Sequence, residues 1–262
     1  MTRIPTGRLG QSGAGSLGLP EDIRACLFDL DGVVTRTAVV HAAAWKEMFD
    51  AFLEQRAAQE GEEFVPFDEH DDYDTYVDGK PRDDGTSSFL GSRHIDLPLG
   101  QPDDRAGTNT IRGLGQAKNE IVLRLIRTEG VKPYQGSVAY LQAVRRAGLV
   151  TAVVSSSTNC QDVLEAVQLE HFFDVRIDGL VAKEAGLDGK PAPDTFLAAA
   201  SRLGVDPQAA AVFEDAIAGV EAGRAGGFGW VVGVDRVGQA EQLESHGADV
   251  VVDDLAKLMV EP

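Results

Sequence analysis

The chain has 262 residues, 43% of them hydrophobic, and a formal net charge of −18. That length suits one large domain or two modest ones, and so acidic a chain argues against nucleic-acid binding, which needs basic patches. No apolar run approaches a membrane span, the N-terminus lacks an apolar signal-peptide core, and Cys26 and Cys160 form neither a disulfide framework nor a zinc-ligand spacing, so a cytoplasmic protein with no membrane partner is expected.

In chain order, residues 1–20 are rich in Gly and Ser and read as a flexible tail. Gly13, Gly15 and Gly18 match GxGxxG, but no strand precedes them and Pro20 follows, so the dinucleotide reading is set aside. Ala25-Cys26-Leu27-Phe28 reads as a buried strand. It delivers Asp29 and Asp31, and Gly32 then lets the backbone turn sharply. Residues 38–58 read as a helix, with Val40, Ala44, Phe49 and Phe52 on one face. Residues 60–78 hold nine acids and no Lys or Arg, and read mostly as solvated surface. The turn Gly79-Lys80-Pro81-Arg82 ends this run with two cations. Residues 86–99 are short and mixed, 100–110 a loop, and 112–128 a helix with Ile121, Leu125 and Ile126 inward.

From Val131 the pattern changes to strands alternating with helices. Strands are expected at 149–154, 174–177, 209–213, 230–234 and 248–252, and helices at 137–147, after Asn159, at 194–203 and at 216–225, with a Gly/Lys/Pro loop before Asp194. Such alternation predicts an α/β fold with a Rossmann-like parallel sheet covered on both faces. About 95 residues separate the first strand from the helix leading to the second, where a crossover needs on the order of a dozen. The expected organisation is a tail (1–20), an α/β core (21–36 and 132–262) and an inserted helical cap (37–131), with joints near Arg36 and Lys132.

Four strand or loop ends carry chemistry. Asp29 and Asp31 repel one another unless a cation or proton intervenes; Mg²⁺, a hard cation that shares its oxygen ligands with phosphate, suits them, and a carboxylate can itself attack phosphorus. The bland alternative is a solvated acidic turn. Ser155-Ser156-Ser157-Thr158-Asn159 follows a buried strand and offers hydroxyls and amides to phosphate, or simply caps a helix. Lys190, between Gly189 and Pro191, is an ammonium on a backbone stiffened by Pro191 and Pro193, or a solvent-facing loop lysine. Glu214 and Asp215 complete a cation site or cap a helix. Cys160 opens a helix, where thiol pKa values fall, but fits an inert buried thiol equally.

The string DLDGVVTRT, followed in this order by the Ser-rich turn, Lys190 and Glu214-Asp215, resembles the haloacid dehalogenase superfamily over about 22–36 and 132–262. The resemblance implies Asp29 as nucleophile, Asp31 as general acid/base, Ser155 and Lys190 as holders of the transferring phosphoryl group, and Mg²⁺ organised by Asp29, Asp31 (through its backbone carbonyl), Glu214 and Asp215. Asp31 disfavours a dehalogenase, because a leaving halide needs no acid. Thr37, His41, Trp45-Lys46, Lys118-Asn119, the turn ending in Arg82 and the LysProAlaProAsp run at 190–194 narrow the resemblance to the β-phosphoglucomutase-like branch, although Arg36 stands where many relatives carry Asp.

That branch implies Thr37 and His41 as catalytic partners, and Trp45, Lys80, Arg82, Lys118, Ser156, Ser157 and Asn159 as substrate-binding. On position alone His41 also fits a packed or exposed histidine, Trp45 fits cap core better than a sugar platform, and the two turn cations fit local charge balance. The implied activity is a Mg²⁺-dependent phosphomutase of a monomeric kind, taking β-glucose 1-phosphate to glucose 6-phosphate with β-glucose 1,6-bisphosphate as activator. The alternatives are a sugar-phosphate phosphatase and a phosphosugar-binding regulator; the intact Asp pair weighs against the last.

Overall fold

The computed structural model describes residues 13–259. Six strands, β1 (Ala25–Phe28), β2 (Val150–Val154), β3 (Val175–Ile177), β4 (Ala210–Glu214), β5 (Trp230–Val234) and β6 (Val250–Val252), form one parallel sheet in the order β3-β2-β1-β4-β5-β6. Every residue of β1 and β4 is buried, as expected for strands covered on both faces. Cys26 and Phe28 face one side with Val153, Phe213 and Val232, under helices α4 (Gln135–Arg146) and α5 (Cys160–Val167). Ala25 and Leu27 face the other with Ala152 and Val212, under α7 (Asp194–Leu203) and α8 (Ile217–Ala225). Phe28 pairs in register with Val153 and with Phe213, so the residues just beyond β1, β2 and β4 share one edge. This strand order reverses direction between β1 and β4, and ligands of open α/β sheets bind outside the carboxyl ends at that point.

Between β1 and β2 lie α1 (Thr37–Glu60), α2 (Arg82–Ser92) and α3 (Ile111–Glu129), which build a second hydrophobic cluster. Phe49 stands at its centre, 4.2 Å from the Phe89 ring and 5.2 Å from those of Trp45 and Phe67. The acidic stretch contributes more than solvated surface. Phe67 is buried and tied to α1 on both sides: its N donates to Asp50 (2.7 Å) and its carbonyl accepts from Lys46 (2.9 Å). Tyr73–Val77 forms a π-helical turn that buries both its end residues.

Two short linkers join cap to core side by side. Arg36 N donates to the Lys132 carbonyl (2.9 Å) and Tyr134 N to that of Val34 (3.0 Å). Arg36 and Arg236 both stack on the Tyr134 ring, and Arg236 Nε donates to the Gly32 carbonyl (2.9 Å), which fixes the loop after β1.

Two expectations change. The segment taken as a tail is, from residue 13 on, part of the core: Gly13–Leu17 forms a 3-10 turn, Ala14, Leu17 and Leu19 are buried, and the Tyr140 hydroxyl donates to the Leu17 carbonyl (2.9 Å). Residues 1–12 lie outside the described residues. The loop expected before Asp194 contains a helix, α6 (Gly179–Ala185), whose first amides are accepted by the Asp178 side chain. A further short helix, α9 (Ala240–Ser245), precedes β6. Among the described residues no helix is long and apolar enough to cross a membrane.

Candidate active site

Asp29 follows the last residue of β1 and is 6% exposed. Lys190, itself 2% exposed, forms buried ion pairs with Asp29 and Glu214. Burial pushes the Asp29 carboxyl well above its usual range; the nearby Lys190 pulls the other way, and the charges of Glu214 and Asp31 push it further up. Burial alone lowers the pKa of an ammonium, but Asp29 and Glu214 more than reverse this, so Lys190 stays charged.

The loop Leu30–Thr35 turns at Gly32, where φ is +90° and a Cβ would fall 1.6 Å from an Asp215 carboxylate oxygen. Only glycine therefore lets Asp215 pack against the loop. Oxygens of Asp29, Glu214 and Asp215 lie within 4.8 Å of one another. This all-carboxylate set fits a hard divalent cation such as Mg²⁺. Burial and the charges of Asp78, Asp29 and Glu214 raise the Asp215 pKa, the mark of an acidic cluster short of positive charge.

Asp31 points away from that cluster, toward the cap. Thr37 opens α1 and His41 lies four residues, about one turn, further on, so the two share a face. The Thr37 hydroxyl donates to Asp31 Oδ1, and His41 Nε2 lies 3.4 Å from the same oxygen. From the core side Ser155 Oγ donates to Asp31 Oδ2 (3.2 Å). Burial raises the Asp31 pKa, but His41, Thr37 and the Lys118 charge outweigh it and hold the carboxyl at about 2. Lys118 Nζ sits 2.7 Å from His41 Nδ1 and 4.7 Å over the Trp45 ring. Burial brings its pKa down to about 7, with Asp31 opposing and Arg82 assisting. Burial and Lys118 also lower the His41 pKa, so a neutral imidazole accepts from Lys118 at Nδ1 and presents Nε2–H to Asp31.

The other sequence-predicted residues fall into two groups. Ser156 Oγ donates to the Gly79 carbonyl (2.8 Å) and Asn159 Nδ2 to Asn119 Oδ1 (3.0 Å), so both join core to cap. Ser157 Oγ accepts from Asn159 N (3.1 Å) and shapes the turn. Gly79 has φ +70°, and a Cβ there would stand 3.0 Å from Ala216 Cβ. The Pro81 ring packs on Gly189, the neighbour of Lys190. The cap turn is thus shut on the core. Arg82 is half-buried against Gly115 of α3 and forms no ion pair among the described residues.

Lys80 is bonded within the cap, and Trp45 lies under the Lys118 ammonium. Lys80 Nζ donates within the cap to Ser88 Oγ (3.1 Å) and to the Thr75 carbonyl (3.5 Å), and Trp45 is buried against Phe49. Cys160 is buried and its thiol pKa pushed up, chiefly by burial, so it is an inert packing residue. The sequence does not single out Asp78, Tyr73 or Arg236, which the fold brings close to these groups. Burial raises Asp78 to about 7, against the pull of the Tyr73 hydrogen bond, with Glu214 pushing the same way as burial. Its position at the end of an acidic run disguised it.

A buried aspartate paired with a lysine at the switch point of a parallel α/β sheet, shut under a helical cap, defines a capped α/β enzyme with an acidic site. Comparison with known proteins narrows the class. Residues 23–227 match the family model described as haloacid dehalogenase-like hydrolase, and the chain belongs to that family, in its β-phosphoglucomutase-like branch. It is 58% identical over 246 residues to a β-phosphoglucomutase of Mycobacterium bovis, covering 93% of this chain and 94% of the relative. It is 39% identical over 236 residues, 90% of this chain, to an uncharacterized glycosyl hydrolase of Mycobacterium tuberculosis, of which the match spans 17%. A crystal structure of β-phosphoglucomutase from Clostridium difficile superposes with a TM-score of 0.71 at 27% identity, over 90% of this chain and 93% of that one.

Proposed function

We propose that the protein is a Mg²⁺-dependent phosphomutase that converts β-glucose 1-phosphate to glucose 6-phosphate through phospho-Asp29, with β-glucose 1,6-bisphosphate as activator and intermediate. The observation that carries this reading is the placement of Asp31. It is held ionised between Ser155 of the core and Thr37 and His41 of the cap, beside a buried nucleophile, so an acid/base group is in place only where cap meets core.

In the priming step an Asp29 oxygen bonds to phosphorus as the P–O bond to the bisphosphate's sugar oxygen breaks, and a proton that Asp31 has first taken up from solvent passes to that oxygen, which leaves Asp31 ionised. The 6-hydroxyl of β-glucose 1-phosphate then gives its proton to Asp31 and attacks the phosphorus on Asp29, releasing the carboxylate and forming bisphosphate. After the bisphosphate turns end for end, an Asp29 oxygen bonds to the 1-phosphorus as the P–O bond to the C1 oxygen breaks, Asp31 returns to that oxygen the proton it took from the 6-hydroxyl, and glucose 6-phosphate leaves. Lys190 and Ser155 line the position of the transferred oxygens. Asp29, Glu214 and Asp215 would hold Mg²⁺, which offsets the repulsion between an anionic nucleophile and an anionic phosphate. A shut cap keeps water from the phosphoaspartate. The relative of which this fold is only a part, named a glycosyl hydrolase, supports a sugar as substrate.

The family's description as a hydrolase favours a second reading, a phosphatase that passes the phosphoryl group to water. The test supplies β-glucose 1-phosphate, Mg²⁺ and a trace of β-glucose 1,6-bisphosphate, and measures glucose 6-phosphate and free phosphate together. The mutase forms glucose 6-phosphate in large excess, with a lag when the bisphosphate is withheld; comparable release of free phosphate rejects it.

Arg82 and Lys118 bring two cations close together in the cap, and neither forms an ion pair with a carboxylate among the described residues. Arg82, whose planar fork engages two phosphate oxygens at once, is assigned to the phosphate that is not being transferred. A hydrogen bond to a charged group contributes about 1.5–3 kcal/mol. Arg82→Ala is therefore expected to lower kcat/KM for β-glucose 1-phosphate roughly ten- to a hundredfold and to raise the activator concentration needed. Its effect on a small aryl phosphate should be smaller by a similar ratio. Equal losses on both substrates would place Arg82 in cap folding instead.

A further inference from the structure

The segment after β5 supplies no group to the chemistry above, yet its side chains reach both acid-bearing loops. Asp235 Oδ1 accepts from the backbone N of Val237, Gly238 and Gln239 (3.2, 2.7 and 2.9 Å), which folds residues 235–239 into a tight turn. From that turn Gln239 Nε2 donates to the Asp215 carbonyl (3.0 Å) and Arg236 Nε to the Gly32 carbonyl (2.9 Å). Arg236 also donates through Nη2 to the Val33 carbonyl (3.3 Å) and the Ser137 hydroxyl (3.4 Å), and through Nη1 to the Asp253 carbonyl. Its guanidinium lies 3.6 Å from the centre of the Tyr134 ring. Four of the five N–H groups of a guanidinium are thus engaged, all by neutral acceptors, and one face is covered. Arg236 therefore has no free fork to offer a substrate phosphate, and its charge serves the protein's own backbone.

The backbone it holds is the one that carries Asp31. The loop Leu30–Thr35 closes on itself: Val34 N and Thr35 N donate to the Leu30 carbonyl (3.0 and 2.9 Å), and Gly32 N to that of Thr35 (2.7 Å). Such a ring keeps its shape, but its place relative to the sheet is set from outside. Among the described residues two side chains beyond the loop reach its backbone, Arg236 at Gly32 and Val33, and Ser137 at Val33 (2.6 Å). The carbonyls they hold follow directly after Asp31, whose carboxylate meets Ser155 of the core and Thr37 of the cap. We propose that Arg236 is a positioning residue for the acid/base step: by holding the Gly32 and Val33 carbonyls it sets Asp31 against the sugar oxygen that leaves phosphorus. The inference rests on the acid/base reading of Asp31 given above. A misplacement of about 1 Å caused far from the chemistry can cost on the order of a hundredfold in rate. The cost depends on the leaving group. A sugar oxygen leaves with a proton, whereas p-nitrophenolate leaves without one, so a displaced Asp31 slows the first far more than the second.

The test isolates that step. With enzyme in excess and Mg²⁺ present, single-turnover rates of transfer to the protein are measured for two donors, β-glucose 1,6-bisphosphate and p-nitrophenyl phosphate. The proteins are the wild type, Arg236→Ala, Arg236→Lys, Ser137→Ala, Asp31→Asn and the double variant Arg236→Ala/Asp31→Asn. Arg236→Ala should lose about ten- to a hundredfold more with the bisphosphate than with the aryl ester. The loss should fall on the maximal rate and not on the half-saturating concentration. Arg236→Lys keeps the charge without the fork and should behave like the alanine variant. Ser137→Ala, which keeps the proposal testable if Arg236→Ala fails to fold, should lose less in the same direction. Asp31→Asn should show a larger deficit of the same kind, and Arg236→Ala should add little to it. Equal losses on the two donors, a loss confined to half-saturation, wild-type rates in Arg236→Lys, or additive losses in the double variant would each overturn the proposal. A loss cured by excess Mg²⁺ would give Arg236 to the cation site and overturns it too. If Asp31→Asn itself slowed both donors equally, the acid/base reading would fall and the inference with it; where Asp31→Asn behaves as expected, a failure belongs to Arg236 alone. Mutase and phosphatase share this step, so the result stands apart from which product follows.

Discussion

Asp29→Asn abolishes turnover while the protein stays folded. An amide is a poor nucleophile, and removing the group that makes and breaks the covalent bond costs at least about 10⁴-fold in kcat. The fold should not suffer. Asp29, Glu214 and Asp215 crowd around one lysine, and burial together with the charges of Glu214 and Asp31 raises the Asp29 pKa. A raised carboxylate pKa means that ionisation disfavours the folded state as pH rises through it. The neutral isostere removes that cost and leaves Lys190 paired with Glu214. Thermal melting at neutral pH is therefore expected to give a Tm at or above that of the wild type, alongside loss of activity. Substantial turnover in a verified Asp29→Asn preparation would remove Asp29 from the nucleophile's role. A collapse of Tm would instead make Asp29 structural.

Removing the divalent cation has the second large effect. With Asp78 included, four acids face the single charge of Lys190. A bound cation relieves that imbalance in the folded chain and has no such site in the unfolded one. At a hundredfold excess over Kd the linkage amounts to about 2.7 kcal/mol, or roughly 5–10 °C in Tm for a chain of this size. Mg²⁺ should raise Tm by about that amount, EDTA should reverse the rise, and turnover should fall to background with it. Asp215→Ala should lose both the thermal shift and most of the activity. Its Tm without metal should change little, because the alanine removes a carboxylate whose pKa burial and its acidic neighbours already raise. Full rate in chelated enzyme, or an unchanged metal shift in Asp215→Ala, contradicts the cation site.

The core of this architecture is legible in the residues because parallel strands covered on both faces need unbroken apolar runs. Ala25–Phe28, Val150–Val154 and Ala210–Glu214 stand out for that reason, and the acids at their ends mark the carboxyl edge. Short elements are less visible. The helix Gly179–Ala185 is only seven residues long and opens on glycine, so its one signal is the capping Asp178. Gly13–Leu17 hides its two buried residues, Ala14 and Leu17, among Gly and Ser. In the cap, Phe67, Tyr73 and Val77 are spaced six and four apart and flanked by acids, so no helical period announces that they are core.

The turn shows why residue type alone does not fix a role. Lys80 and Arg82 are two positions apart and carry the same charge, yet Lys80 is bonded inside the cap and Arg82 opens α2 beside α3. Asp78 is one of nine acids between 60 and 78, and only the closure of the turn on Ser156 and Ala216 singles it out. The pairing of Thr37 with His41 across from Asp31 lies between these cases. The i, i+4 spacing is visible, but its target is set by where α1 leaves the linker.

The central claim is that the phosphoryl group rests on Asp29 and leaves it for a sugar hydroxyl. A pulse–chase measures this directly. The enzyme is phosphorylated with labelled β-glucose 1,6-bisphosphate and Mg²⁺, part is quenched in acid for peptide mapping, and the rest is chased with unlabelled β-glucose 1-phosphate. The expected result is one label per chain on the peptide containing Asp29, passing in the chase to sugar bisphosphate and then glucose 6-phosphate, with little in free phosphate. Label on another residue, no covalent label in an active preparation, or a chase that ends in inorganic phosphate would contradict it.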